Sequence, residues 1–91
     1  MQPFIETDVE IVEETVEKDV KALVVFNDDV NTFDWVIETL VEVCNHTPQQ
    51  AEQCTLIIHY KGKCRVKEGE FEELVPMRNE ICRRGISAEI L

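Results

Sequence analysis

Glycine and proline are scarce, three of each in 91 residues, which excludes collagen-like, linker and low-complexity classes. Basic residues are scarce as well. Nine Lys and Arg face nineteen Asp and Glu, for a formal net charge of −10. With no basic stripe to neutralise phosphates, nucleic acid is not expected as a partner. No apolar run approaches the roughly 20 residues that span a bilayer, so no membrane partner is expected. The acidic start lacks a continuous apolar segment, and no signal peptide is expected. None of the four cysteines (Cys44, Cys54, Cys64 and Cys82) falls in a C-x-x-C pair. Three of them replace apolar residues in periodic patterns, so they read as buried free thiols in a reducing, cytoplasmic compartment. A glycine-rich phosphate loop, a Cys-His or Ser-His signature and a metal-ligand spacing are all missing. Catalysis, a metal and a cofactor therefore have no support.

What is present suffices for one small core. The chain is 44% hydrophobic, ordinary for a globular protein. Its charge is uneven: residues 1–19 hold seven acids against Lys18 alone. Val9, Val12 and Val16 fall at helical spacing, yet like charges repel there and no good cap is present. A flexible acidic tail over 1–19 and a folded domain over 20–91 are expected.

Within the domain, Val20 to Phe26 reads as a β-branched strand. Phe33, Val36, Ile37, Leu40, Val41 and Cys44 repeat at spacings of three and four, which predicts an amphipathic helix. Thr47-Pro48-Gln49-Gln50 combines a capping-box pattern with proline at the first helical position, so a second helix starts there. Its apolar members include Ala51, Cys54, Leu56, Ile57 and Ile58, and Gly62 ends it. Lys63 to Lys67 alternates as a half-buried strand. Phe71, Leu74, Val75, Met77, Ile81 and Cys82 predict a third helix ending at Arg83-Arg84-Gly85, with Pro76 either near its start or kinking it. Ile86, Ala88 and Ile90 alternate as a last strand. The order β-α-α-β-α-β predicts an α+β sandwich, a small antiparallel sheet covered on one face by helices.

Between the first strand and first helix stands Asn27-Asp28-Asp29, followed by Thr32 as N-cap. Short polar residues that bond their own backbone explain the turn without a ligand. The other reading is a corner that binds a cation with an apolar neighbour. His59, near the end of the second helix, suits a dipole contact, and a functional role would need an orienting partner such as Asp28 or Asp29. His46 sits between two helices and is expected to be exposed.

The run Leu23-Val24-Val25-Phe26-Asn27-Asp28-Asp29, the helix from Phe33, and Ile57-Ile58-His59-Tyr60-Lys61-Gly62-Lys63 resemble the ClpS family. These are non-enzymatic adaptors that hand N-end-rule substrates to Clp AAA+ unfoldases. The resemblance runs from about Val20 to the C-terminus, and its markers are the N-D-D turn and an H-x-x-G-K some thirty residues later. It implies a sandwich of three antiparallel strands and three helices. It also implies that Asn27, Asp28 and His59 bind the α-amino group of a substrate's first residue. An ammonium group has donors and no acceptor, so converging oxygens and a neutral imidazole nitrogen suit it. By the same resemblance Asp28, Asn31, Phe33, Val36, Thr55, Ile58 and Ala88 line the pocket for a bulky hydrophobic first side chain (Phe, Tyr, Trp or Leu). The acidic tail matches a segment that engages the unfoldase, the docking partner is the unfoldase N-terminal domain, and the chain is expected to be a monomer. Asp29 is expected only to cap the turn.

Some positions depart from the family pattern. Asn31-Thr32 stands where Thr-Pro is common, and Phe33 and Thr55 stand where Met is common. The segment between Lys63 and the third helix is short, so docking residues near Glu70 to Glu73 do not carry over one by one. The rival class is an interaction module without amine recognition, similar to the C-terminal domain of the ribosomal stalk protein. That rival gives His59 no reason to face the Asn27–Asp28 corner. A small-ligand regulatory domain would instead require a closed pocket.

Overall fold

The apolar run beginning at Ala22 becomes the middle strand of a sheet, where both of its edges find partners. The computed structural model describes residues 19–91. The tail expected over 1–19 lies outside the described residues apart from Asp19. Strand β1 (Lys21–Phe26) pairs antiparallel with β2 (Lys63–Gly69) on one side and β3 (Ala88–Ile90) on the other, in the order β2-β1-β3. Helices α1 (Phe33–Cys44), α2 (Pro48–Lys61) and α3 (Phe71–Arg83) complete the order β-α-α-β-α-β. Three antiparallel strands against three helices is the α+β sandwich expected.

The core forms where Leu23 and Val25 of β1 meet Leu40, Ala51, Ile58, Leu74 and Ile81 from all three helices. Leu23, Leu40, Leu74 and Ile81 are the largest fully buried side chains, each stabilising the fold by about 1.5–3 kcal/mol before entropy is counted. On α2 the core takes Ala51, Thr55 and Ile58, a narrower stripe than the apolar residues suggested. Thr55 is tolerated there because its hydroxyl donates to the Ala51 carbonyl at 2.7 Å. Register in the β1–β2 ladder jumps between Leu23↔Lys67 and Val24↔Arg65. This bulge leaves Val66 to turn into the core. It also lets Lys67 Nζ donate to the Cys44 carbonyl at 3.2 Å, supplying the cation that the last turn of α1 lacks.

The helix ends follow the sequence signals. Thr32 Oγ1 accepts from the Trp35 N–H at 3.1 Å, and Thr47 with Gln50 closes a capping box behind Pro48. Gly62 and Gly85 adopt the left-handed φ values, 95° and 89°, that a side chain resists. Asn45, at φ 61°, does the same for α1, and no periodicity announced it. Helix α3 runs through Pro76 rather than starting at it. Glu73 Oε1 accepts from the Glu70 N–H at 2.9 Å and fixes the first turn ahead of the proline.

Two expectations about single residues are corrected. His46 is half-buried, with Nε2 donating to the Val66 carbonyl at 2.6 Å, because the bulge brings that carbonyl to the α1–α2 connection. All four cysteines are free, but only Cys44 is buried. Cys54 and Cys64 are half-buried, and Cys82 is exposed since its neighbour Ile81 takes the core position.

Candidate functional site

The β1 chain leaves the sheet at Asn27, and its direction there is fixed from the far end of α2. The Asn27 N–H donates to the Gly62 carbonyl at 2.9 Å, which sets the corner beside the last turn of α2, where His59 stands. The next residue makes the turn. Asp28 Oδ1 accepts from the backbone N–H groups of Val30 and Asn31, both at 3.0 Å. The Asn31 side-chain amide reaches back to both carboxylate oxygens, at 3.0 Å to Oδ1 and 2.9 Å to Oδ2. The turn-fixing role expected of Asp29 therefore belongs to Asp28, because only Asp28 has the two backbone donors in reach. Partial burial pushes the Asp28 carboxyl up, but the bonds from Asn31 and Val30 outweigh it and hold it below the ordinary carboxylate range. Asp28 is accordingly an anion at neutral pH, and Oδ2 accepts only from Asn31 among the described residues.

Thr32 then starts α1 and sets Phe33 at its first position. The Phe33 ring meets the His59 ring edge to face, with centroids 6.2 Å apart and planes at 80°. Tyr60 meets the other side of His59 at 5.0 Å and 81°. Such pairs are worth about 0.5–1.5 kcal/mol each.

These elements enclose an open cleft of about 300 Å³. Asn27, Asp28 and His59 share it with the apolar walls Phe33, Val36, Thr55 and Ile58, and Asn31 and Asp29 stand at the same corner. Residues from β1, α1 and α2 that sequence reasoning grouped are thus together in space. Ala88 is not. It pairs with Val25 in the ladder and is buried in the core. The contribution of the last segment comes two residues earlier. Ile86, 3% exposed, lines a small cavity of about 20 Å³ behind Asn27, Asp28, Val36 and Ile58. The strand is only three residues long, so the chain leaving Gly85 passes this small cavity behind the cleft before it enters the sheet. The signal available was the position of Ile86, first apolar residue after the terminating glycine. Also unforeseen was the Gly85 carbonyl, which accepts from the Asn31 amide at 2.8 Å.

Chemically, the cleft offers an anionic oxygen, a side-chain amide and an imidazole beside an apolar wall. That set complements a cationic donor group attached to a hydrophobic body. Among the described residues no cluster of three His, Cys, Asp or Glu is placed to hold a metal ion. None of their helices is long and apolar enough to cross a membrane.

A family model described as the ATP-dependent Clp protease adaptor protein ClpS matches residues 16–88. The chain belongs to the ClpS family. It is 33% identical over 70 residues to the ATP-dependent Clp protease adapter protein ClpS of Nitratidesulfovibrio vulgaris, covering 75% of this chain and 70% of that protein. Its fold is similar to the structure of Agrobacterium tumefaciens ClpS2 bound to L-phenylalaninamide, with a TM-score of 0.76 at 15% identity. That likeness covers 79% of this chain and 94% of the other. As a ClpS-family adaptor the protein works with an ATP-dependent Clp protease.

Proposed function

We propose that this adaptor binds proteins by their free α-amino group together with a bulky hydrophobic first side chain, and delivers them to the N-terminal domain of a Clp AAA+ unfoldase. The observation that carries the reading is the meeting of Asn27, Asp28 and His59 at the mouth of one cleft whose inner walls are apolar. Asp28 Oδ2 supplies the charge, the Asn27 side chain and a His59 nitrogen supply further acceptors, and the first side chain enters between Phe33, Val36, Thr55 and Ile58. A volume of about 300 Å³ lies at the small end for ligand sites, suited to one side chain rather than a longer segment. The ligand of the similar Agrobacterium protein, L-phenylalaninamide, is a primary amine bearing a benzyl group, which is the same pair of features. Phe, Tyr, Trp and Leu are the preferred first residues. Ile and Val are rejected because a branch at the β-carbon collides with the stiff Phe33 ring. The four free thiols suit a reducing, cytoplasmic setting, and the adaptor itself performs no chemistry on its cargo.

The test is a pair of peptides that start with Phe and differ only in N-acetylation, titrated calorimetrically. The free peptide binds, and the acetylated one keeps only a weak residual affinity through its hydrophobic side chain, since acetylation removes the charge and two donors. Asp28→Ala weakens the free peptide by about 2–3 kcal/mol, the scale of a charge-assisted bond in a partly buried site. Equal affinity for the two peptides would sink amine recognition and leave an interaction module of the ribosomal-stalk kind.

A further inference from the structure

The walls of the cleft come from α1 and α2, yet the corner that carries its charge is also tied to the segment that follows α3. The Asn31 amide nitrogen has two hydrogens. One is shared between the Asp28 oxygens and the other goes to the Gly85 carbonyl at 2.8 Å. Gly85 belongs to the turn after α3, and that turn is itself clamped. The Arg84 carbonyl accepts from Trp35 Nε1 at 3.1 Å. The Arg84 guanidinium lies over the Trp35 ring, 5.5 Å from its centroid. It donates to Glu42 at 2.7 Å, to Glu80 at 3.0 Å and to Thr39 at 3.4 Å. With its side chain only 16% exposed, Arg84 is the most enclosed of the ion-paired bases. Asn31 lines the cleft as a strut, with every amide hydrogen committed away from a ligand.

We propose that Asn31 is a positioning residue for the amine site. It braces Asp28 against the Arg84–Gly85 turn, so that Oδ1 stays engaged in the turn and Oδ2 is presented to the incoming ammonium group. This rests on the amine-binding reading and adds a second support to it. Without the brace, the carboxylate keeps its two backbone donors but regains freedom to rotate about its bond to the backbone. A ligand must then meet the cost of fixing it. The side-chain pocket feels little of this, since Phe33, Val36, Thr55 and Ile58 take their places from α1 and α2. The prediction is therefore selective: loss of the brace weakens recognition of the amine, not of the hydrophobic body.

Three variants separate the links. Asn31→Ala removes both bonds. Asn31→Thr puts a hydroxyl within reach of Asp28 but not of the Gly85 carbonyl. Trp35→Phe deletes the bond to the Arg84 carbonyl and keeps a ring under the guanidinium. Each is titrated with the free and the acetylated Phe-initiated peptide, with melting temperature recorded and backbone amide exchange followed by nitrogen-15 NMR. Asn31→Ala weakens the free peptide by about tenfold and leaves the residual binding of the acetylated peptide unchanged, while the amides of Val30 and Asn31 exchange faster. Asn31→Thr falls between Asn31→Ala and wild type, and Trp35→Phe shifts the free peptide in the same direction by a smaller factor. Wild-type affinity in Asn31→Ala overturns the inference. So does an equal loss for both peptides, the mark of a merely structural role. Should Asn31→Ala fail to fold, Trp35→Phe decides, and its wild-type affinity for the free peptide overturns the inference. Wild-type protein that fails to distinguish the two peptides overturns the amine reading itself, a failure visible before any variant is made.

Discussion

Phe33 and His59 meet edge to face across the mouth of the cleft, one from the first turn of α1 and the other from the last turn of α2. The contact gives Phe33 two roles. On the amine-binding proposal it restricts entry to the side-chain pocket and packs against the imidazole that faces the amine. Phe33→Ala is expected to admit peptides starting with Ile and Val, which wild type rejects. Affinity for a first Phe falls by about 1 kcal/mol as the aromatic contact is lost. Affinities across a first-residue peptide series, on both proteins, check this. A wild type that takes Ile as well as Leu shows that Phe33 is no gate.

The floor of the pocket is tested at Ile86. Ile86→Val is expected to cost about 0.5–1.5 kcal/mol of stability and Ile86→Ala about 2–5 kcal/mol, the range for truncating a buried branched side chain. Truncation also joins the 20 Å³ cavity to the main cleft, so the ranking of first residues moves toward Trp relative to Phe. Truncating Ala88 to Gly instead disturbs the ladder and leaves that ranking unchanged. Urea unfolding and the peptide series report the two effects separately.

Peptide binding is expected to be lost from the alkaline side first. A free α-amino group titrates at about 7.7–8.0, and above that range the ligand sheds the charge Asp28 requires, so affinity falls by about tenfold per pH unit. Asp28 places no limit in mildly acidic solution, because its bonds from Asn31 and Val30 hold it below the ordinary carboxylate range. Titrations from pH 5.5 to 9.5 that show no alkaline decline would contradict amine recognition.

A different acid is expected to contribute to the acid sensitivity of the fold. Glu80 is drawn down to about 2 by bonds from Arg83 and then Arg84. Its folded value lies below its unfolded one, so its stabilising effect is complete above about 4.5 and is lost as pH falls from there toward 2. Glu80→Gln is expected to flatten the decline of stability over that window. Added salt has the same sense, since the carboxylate is open to solvent. Urea midpoints at a series of pH values measure both.

Thiol reactivity should follow position rather than number. Cys82 is exposed and is expected to be modified first by a thiol-specific reagent at pH 8. Burial pushes the Cys44 thiol up to about 11, and burial together with neighbouring Cys54 pushes Cys64 up to about 12, so both stay protonated and react slowly. Mass spectrometry of timed samples gives the order, and fast labelling of Cys44 would place it outside the core.

The strands, helices and caps were legible because local chemistry and tertiary packing agree at them. Thr32, Thr47 with Gln50, Gly62 and Gly85 each end or begin a helix for reasons visible within four residues. The grouping of Asn27, Asp28 and His59 was not legible in that sense. Periodicity placed each on its element, and only the family resemblance suggested that the elements meet. What escaped was decided by contacts far apart in sequence. Ile86 rather than Ala88 lines the small cavity behind the cleft because β3 is short. His46 is half-buried because a bulge at Val66 aims a carbonyl at it. Asn31 lines the cleft as expected, but its bond to the Gly85 carbonyl comes from a residue 54 positions away and was not legible.

The bond from Asn27 to Gly62 joins the end of β1 to the end of α2, and the bond from Asn31 to Gly85 joins the same corner to the segment that starts the last strand. The candidate site is therefore assembled from three stretches that lie far apart along the polypeptide. On the proposed reading, binding and global folding are coupled, and saturating peptide is expected to raise the unfolding midpoint of the entire domain.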